Sequence, residues 1–548
     1  MVFSKMLRAP HRTAIVLAVL ASLTAAVRIG STWRVFNETT DEAYHIACGM
    51  QWLSAGQYTY ETQHPPLARI VVALGPYLDG AKFHNVGTGH QEGRLLLDEA
   101  PDYYGLLTRA RAGNLLFYFL GCLSVWLLAR RCGGTIVAAV SVGLFTLIPV
   151  VLGHAGVATT DMALSACLTL AFWGWQQWMD RPGDPKRAAL AGAATGLAMV
   201  SKFSSVLFLP AMLVPILVWR WRRKDRKAGG RLGLLKAMAC AAVAFFFVCW
   251  PVYRFDLTPA RVPPDRKFFL LDELIGGAGW MHDAAYWFLE LPLPLAGMTR
   301  GIGEVYQHNW DGHWAYLFGH LSQQGWWYFF PIVLAIKTPI ALAILAIAGA
   351  VVAFRERNRS ALECLIAAAA IVLVSMASNV NIGVRHVLPV YLLISVLAGL
   401  AVVRLWKHKW IMGALCVWLA AGSVMAHPDY LADFNLLAMG KPERIVADSD
   451  LDWGQDLHRA TLMLRERGVR EAWIAYDGTA QPARETGVVY RELPENTRVR
   501  GWVVASMRRL YFVGARVQAS GKPDPYGWLK TLTPTMRAGR SVVIFEFR

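Results

Sequence analysis

The run TAIVLAVLASLTAAV (13–27) is followed shortly by TTDEAYHIA (39–47). The first segment is apolar for long enough to enter a bilayer, and it can be extended to Ile29. The second sets two carboxylates, Asp41 and Glu42, side by side just beyond the end of that run. An apolar helix that delivers adjacent acids to a membrane surface is the local pattern around which the chain is organised.

The whole composition agrees with that start. Of 548 residues, 55% are hydrophobic and 17% are charged, against about 25% charged in an ordinary soluble domain. The apolar residues are grouped into runs that suit a hydrocarbon core of roughly 30 Å. They predict membrane helices at 13–30, 104–129, 134–152, 161–179, 188–201, 203–219, 234–253, 333–353, 361–379, 386–403 and 411–426, or about eleven crossings. The fold class expected is an α-helical polytopic membrane protein with a small C-terminal α/β domain.

The loops carry the orientation. With the N-terminus inside, the alternate loops are RR (130–131), DRPGDPKR (180–187), WRWRRKDRKAGGR (219–231), FRERNR (354–359) and RLWKHK (404–409). Each is basic, as cytoplasmic loops are. The net charge of +17 is therefore a topological signal, and no nucleic-acid partner is expected. The other loops, 31–103, 153–160, 254–326, 380–385 and the region after 426, hold most of the carboxylates. The basic N-terminus MVFSKMLRAPHR reads as an uncleaved first helix in preference to a cleaved signal peptide, and either puts TTDEAYH outside.

Two units are expected: a membrane unit over 1–427 with long outer loops at 31–103 and 254–326, and an outer unit over 428–548. AYHIACGMQWLSAG (43–56) and LARIVVALGPYL (67–78) are amphipathic and are expected to lie along the surface. In the C-terminal unit RIVADS, EAWIAYD, RGWVVAS and SVVIFEF read as strands, and QDLHRATLMLRERG and PYGWLKTL as helices. The eight cysteines include no CxxC pair, so neither a disulfide framework nor a cysteine zinc site is expected.

Two adjacent like charges gain nothing from each other. Asp41 and Glu42 serve either to cap the helix that follows, with Thr39 or Thr40 as N-cap, or to act as a base or ligand at the membrane face. QHPPLAR (63–69) favours chemistry: His64 and Arg69 flank a rigid Pro65–Pro66 unit, and a cation near a base suits a phosphate leaving group.

The D-E pair followed by HPPLxR resembles the first outer loop of the protein O-mannosyltransferases, where a lysine stands in place of Arg69. These are GT-C glycosyltransferases, which use polyprenyl-phosphate sugars, and the lipid A aminoarabinose transferases are similar in layout. GWWYFFPIVLAIKTP (325–339), NIGVRHVLPVY (381–391) and HPDYLADFN with DSDLDWGQDL (427–457) resemble an uncharacterised bacterial branch of that superfamily. The resemblance implies that Asp41 takes the proton from an acceptor hydroxyl, that Glu42 assists, and that a single displacement inverts the anomeric centre. It implies a polyprenyl-phosphate-linked donor, surrounding membrane lipids, and a protein, lipid or glycan acceptor, with some weight toward a hexose on protein or glycan. It also implies a bacterial inner membrane, with the site on the outer face.

Asp161, at the head of the fourth apolar run, suits helix-end charge and, by the same resemblance, a site role. Candidate phosphate or substrate cations on the outer side are His64, Arg69, Lys202, Arg254, Lys337, Arg385 and His386. Lys202 either snorkels or pairs, and Arg385 and His386 open a helix at its anion-accepting end. In DGHWAYLFGH (311–320), His313, Trp314 and Tyr316 suit a sugar wall or a plain interfacial surface. DSDLDWGQD (448–456) lacks the glycine and glutamate positions of an EF-hand and reads as an acidic turn capping the next helix. The D-E pair is not a DxD pattern, so no obligatory metal is expected, although superfamily members that use a divalent cation leave one open at Asp41 or Asp161. The competing reading is a transporter or flippase of a lipid-linked sugar. It would put polar groups at the membrane midplane in repeated halves, whereas here they gather at one face.

Overall fold

The computed structural model describes residues 11–223, 230–260 and 268–548. A helix runs through every apolar segment named above, the chief ones being His11–Gly30, Tyr103–Phe145, Asp161–Asp180, Pro185–Ser201, Ser205–Arg222, Arg231–Val252, Arg359–Ser375, Pro389–Arg404 and Lys409–Met425. Among the described residues, five helices are long and apolar enough to cross a membrane, or six if one bent pair counts as a span.

Two departures from the expected segments have clear causes. Tyr103–Phe145 covers two expected helices and leaves helical geometry at Gly133 and Gly134 (φ 83°). The chain folds back there, because Phe145 stacks on Tyr118 with ring centroids 6.4 Å apart. The expected helix at 333–353 is broken into Phe329–Lys337 and Ile340–Arg355, which meet at 111°. Pro339 lacks the N–H that a continuous helix needs and drives Thr338 to an extended conformation (ψ 125°).

Ion pairs gather the loops at two ends of the bundle. At one end Arg131 and Arg220 hold Asp180 at 2.8 and 3.1 Å. Arg220 also meets the fully buried Glu363 at 2.6 Å, Arg359 meets it at 3.3 Å, and Arg404 meets Glu356 at 3.2 Å. His11 reaches Thr135 at this end at 2.9 Å. Residues from all five basic loops are thus joined to one another. The other end joins 31–103, 153–161, 202, 337 and 383–386, which carry the expected site.

The segment expected to lie flat on the surface packs inward instead. In Glu42–Met50 every residue except Tyr44 is buried, and Gly49 backs directly onto the carbonyl of Arg69, which closes this helix against Pro66–Leu78.

The C-terminal region holds a five-stranded sheet in the order Val489–Glu492, Glu471–Ala475, Gly501–Ser506, Val542–Phe547, Met536–Ala538. The first three strands are parallel and the last two antiparallel to their neighbours. Leu457, Ala460 and Leu464 of the helix Leu457–Glu466 cover one face, against Ile474, Val504 and Ile544. Val503, Ala505, Val543 and Phe545 point the other way, onto Leu510, Tyr526 and Leu529. RIVADS is not a strand: after the short turn Pro442–Arg444 it runs as an irregular segment, with Val446 and Ala447 fully buried. The strands at 489–492 and 536–538 were not anticipated, and PYGWLKTL yields only the helix Gly527–Lys530.

Candidate active site

The two adjacent carboxylates divide their work. Asp41 stands just before the helix Glu42–Met50, makes no cap bond to it, and instead accepts from Arg385 Nη1 at 2.6 Å through Oδ2. Glu42 is fully buried and accepts from Thr39 N–H and Ala158 N–H, both at 2.8 Å, and from Arg111 Nε and Nη2 at 2.8 and 2.7 Å. A carboxylate has about four acceptor positions, and all are taken. The assistance expected of Glu42 has no free oxygen to supply it; this residue is a brace for the first outer loop.

Asp41 retains 34% exposure and Arg385 14%, so this pair opens to solvent while its surroundings are closed. Burial raises the Asp41 carboxyl, but the charge of Arg385 and its hydrogen bond outweigh it and hold the group below its usual range. The Arg385 guanidinium lies 4.3 Å above the ring of Trp453 and bonds the Ile382 carbonyl through Nε at 3.2 Å. Asp161, the first residue of its helix, pairs with Lys202 at 2.6 Å. Lys202 therefore pairs and does not snorkel. Arg385 lies in the field of both carboxylates, so two ion pairs stand together at this end of the bundle.

The other expected cations are placed differently. Arg69 is fully buried, donating to His45 Nδ1 and Tyr58 Oη, each at 3.0 Å, and pairing with Glu61. With its donors used internally, it organises the HPPLAR loop and does not present itself to a ligand. Burial and the Arg69 charge push His45 well below its ordinary range, which keeps it neutral and able to accept at Nδ1. His64 keeps 31% exposure and faces Glu61 at 3.1 Å. Lys337 is buried against the carbonyls of Leu431 and Asp450 at 2.6 and 2.8 Å. His386 lies between the rings of Phe330 and Phe208, with centroids 5.3 and 5.6 Å away.

Of the DGHWAYLFGH residues, His313 stands beside His308, with ring centroids 5.5 Å apart. Burial and the neighbouring His308 lower it to about 4, and Arg385 and Asp41 are both within its field. Trp314 and Tyr316 pack beneath the C-terminal unit. The acidic turn does not cap its helix: Asp456 precedes Leu457–Glu466 without a side-chain cap bond. Asp450 accepts from Val384 N–H, Asp452 from Arg508 N–H and Asp456 from Ser541 Oγ, at 2.9, 2.7 and 2.7 Å. No group of three His, Cys, Asp or Glu side chains suited to a metal is found among the described residues.

Arg111, Glu61, Trp453 and His154 were not singled out in the sequence. Arg111 carried a signal, a charge inside an expected membrane helix. His154 is buried with Nδ1 unpartnered, and its ring faces Trp453 edge-on at 6.1 Å. A cleft of about 270 Å³ opens nearby, lined by Trp52, Tyr58, Thr62, Arg254 and Arg300 among others. Its wall residue Tyr58 accepts from Arg69, and Arg69 donates to His45 Nδ1, which ties the cleft wall to the helix that follows Asp41.

Gly383 makes the approach of Asp450 to the 384 amide feasible. Its φ is +94°, and a Cβ there would lie 2.8 Å from the Asp450 carboxylate. Gly383→Ala is expected to displace Arg385 and lower turnover by about tenfold or more, with a left-handed strain of about 1 kcal/mol; donor turnover beside thermal unfolding checks both. The buried acids predict a pH effect as well. Burial raises Asp452 to about 7 and Asp456 to about 6, above the value near 3.9 of an unfolded chain. The folded state binds the extra protons, so stability is full below about pH 4 and is lost as pH rises through about 7. Unfolding of the C-terminal unit is expected at lower temperature at pH 8 than at pH 5, readable by scanning fluorimetry.

The bundle, the broken helix, the outer loops and the C-terminal sheet form a fold shared with solved membrane proteins. A family model described as dolichyl-phosphate-mannose-protein mannosyltransferase matches residues 107–250. The crystal structure of ArnT from Cupriavidus metallidurans bound to undecaprenyl phosphate aligns over 96% of this chain and 97% of its own, at 16% identity and a TM-score of 0.51. The same protein in its apo state aligns over 97% and 98%, with the same identity of 16% and TM-score of 0.51. The archaeal oligosaccharyltransferase AglB from Archaeoglobus fulgidus, solved with an inhibitory peptide and a dolichol-phosphate, aligns over 93% of this chain and 71% of its own, at 13% identity and a TM-score of 0.48. No curated protein matches the chain in sequence.

Proposed function

We propose that this protein is an integral-membrane glycosyltransferase that moves a sugar from a polyprenyl-phosphate donor to an acceptor hydroxyl. The observation that carries the reading is the partly open Asp41–Arg385 pair, set at the end of the bundle away from the basic loops, in a chain of GT-C fold. ArnT was solved with undecaprenyl phosphate, and the family model that matches is described by a dolichyl-phosphate sugar donor; both agree with a lipid-phosphate donor here.

In the proposed reaction the acceptor oxygen attacks the anomeric carbon and gives its proton to Asp41. The bond from that carbon to the phosphate oxygen breaks, and polyprenyl phosphate leaves with the electron pair. A single displacement inverts the centre. Arg254 and Arg300 in the cleft supply positive charge for the departing phosphate. Asp161 and Lys202 hold the second edge of the site. In this reading the chain is a multi-pass protein with its N-terminus in the cytoplasm, and the site faces outward in a bacterial inner membrane. A nucleotide sugar does not reach that side, which is why the donor is carried on a lipid.

The test is donor turnover in proteoliposomes. Purified protein is given a panel of polyprenyl-phosphate hexoses and pentoses with a membrane extract as acceptor source, and mass spectrometry follows free polyprenyl phosphate. Release from one donor with a labelled product supports the reading and identifies the sugar. Labelled lipid crossing the bilayer without release overturns it in favour of transport.

A further inference from the structure

We propose that the acidic turn 448–456 is the positioning element of this site: Asp450 and Trp453 hold Arg385, and the same turn holds the segment that carries Asp41. This inference rests on the reading of Asp41 as the base, and it gives the C-terminal unit a task in the reaction.

Asp41 and Arg385 are 344 residues apart, and neither lies within a long helix. One turn touches both of their segments. On the Arg385 side, the Asp450 carboxylate accepts from Val384 N–H at 2.9 and 3.2 Å, and Ser449 Oγ donates to the Ile382 carbonyl at 3.0 Å. The Trp453 ring underlies the guanidinium at 4.3 Å. On the Asp41 side, the Trp453 carbonyl accepts from Thr40 N–H at 3.0 Å and Thr40 Oγ1 at 3.2 Å. The Gly454 carbonyl accepts from Asn37 at 2.5 Å.

The turn is itself held from behind. Asp452 accepts from Arg508 N–H at 2.7 Å and Gly454 N–H at 3.0 Å. Asp456 accepts from Ser541 Oγ at 2.7 Å, and Tyr476 Oη donates to the Gly454 carbonyl at 2.5 Å. The sheet therefore sets the turn, and the turn sets two loops. A reacting pair must be kept within about 0.5 Å of its working geometry; here side chains of the separate unit do this. The aromatic face also limits rotation of the guanidinium, so that Nη1 stays aimed at Asp41.

The role predicts effects that a merely stabilising turn would not have. Asp450→Ala is expected to lower kcat by about tenfold to a hundredfold, with KM changed by less than about threefold. Asp450→Asn keeps an acceptor oxygen for Val384 N–H and is expected to recover kcat to within about threefold of wild type. Asp41 is faced by Arg385, His45, Asp161 and His313. Trp453→Ala loosens the first of these, so the acid limb of kcat/KM moves to higher pH, as it does in Arg385→Gln, while Trp453→Phe moves it less. If Asp450→Asn is as poor as Asp450→Ala, or if the losses follow the fall in unfolding temperature with an unmoved acid limb, the proposal is wrong.

A second measurement does not depend on any donor. The full chain labelled with 5-fluorotryptophan gives a ¹⁹F signal for Trp453, assigned by its loss in Trp453→Phe. That signal is expected to shift in Arg385→Gln and Asp450→Ala and to stay near its wild-type position in Asp450→Asn. An unmoved signal in Arg385→Gln overturns the positioning role whatever the protein transfers. A shifted signal beside a wild-type protein that turns over no donor upholds the geometry and sinks the transferase reading alone.

Discussion

Asp41→Asn is expected to stop release of polyprenyl phosphate from the donor that the wild type consumes, by about a thousandfold, while the protein remains folded. The asymmetry follows from the geometry. The carboxylate is a third exposed and uses one oxygen on Arg385. Asparagine keeps an oxygen acceptor in that place, loses the capacity to take a proton, and gives up its charge where the pair is open to solvent. Unfolding temperature is expected to change little, so mass-spectrometric turnover and scanning fluorimetry on the same preparation separate chemistry from stability. Asp161→Asn is the informative companion. It leaves the buried Lys202 ammonium without its anion and is expected to lose stability as well as turnover. Equal turnover in wild type and Asp41→Asn would take Asp41 out of the mechanism and shift the base to Asp161.

Glu42→Ala is expected to do the reverse, leaving the protein hard to fold while touching no reacting atom. Its four acceptor positions tie together the Thr39 and Ala158 amides and both donors of the Arg111 fork. Removing the carboxylate leaves a fully buried guanidinium without a counter-charge, a loss of about 3–5 kcal/mol. Arg111 also donates to the carbonyls of Trp33, Phe36 and Asn37 at 2.7, 3.0 and 2.8 Å, so the defect spreads along the loop that leads to Asp41. Yield of monodisperse protein and unfolding temperature are the readouts. The double variant Glu42→Gln, Arg111→Met is expected to recover part of the loss, because it removes the stranded charge. A Glu42→Ala protein that folds normally but has lost turnover would return Glu42 to the chemistry.

Much of the site could be read in the chain because charges at the ends of apolar runs are few and each needs a reason. Asp41, Asp161, Lys202 and Arg385 stood out in that way, and all four lie at one end of the bundle. Their pairing could not be read. Asp41 meets a residue from the far end of the membrane unit, and sequence spacing carries no information about which loop lies opposite which. Arg69 shows the same limit from the other side. HPPLAR marks a cation near a base, but the buried position of that cation depends on Glu61, Tyr58 and His45 closing over it. Trp453 gave least warning, since one aromatic inside an acidic turn has no periodicity to place it on a face.

The sequence by itself determined a membrane bundle with alternating basic loops, a broad allocation of polar residues to one end, and a C-terminal unit of mixed strands and helices. These properties follow from local and additive causes: the length and apolarity of each run, the sign of each loop, the alternation of side chains along a strand. The tertiary structure decided which charges face each other, which of two adjacent carboxylates stays open, and that the turn at 448–456 reaches back to hold both sides of the pair. Those outcomes depend on burial and on the competition of many donors for a few acceptors. Glu42 is filled and Asp41 is not, although they are neighbours in the chain, because only the packed fold brings Arg111 to one and Arg385 to the other.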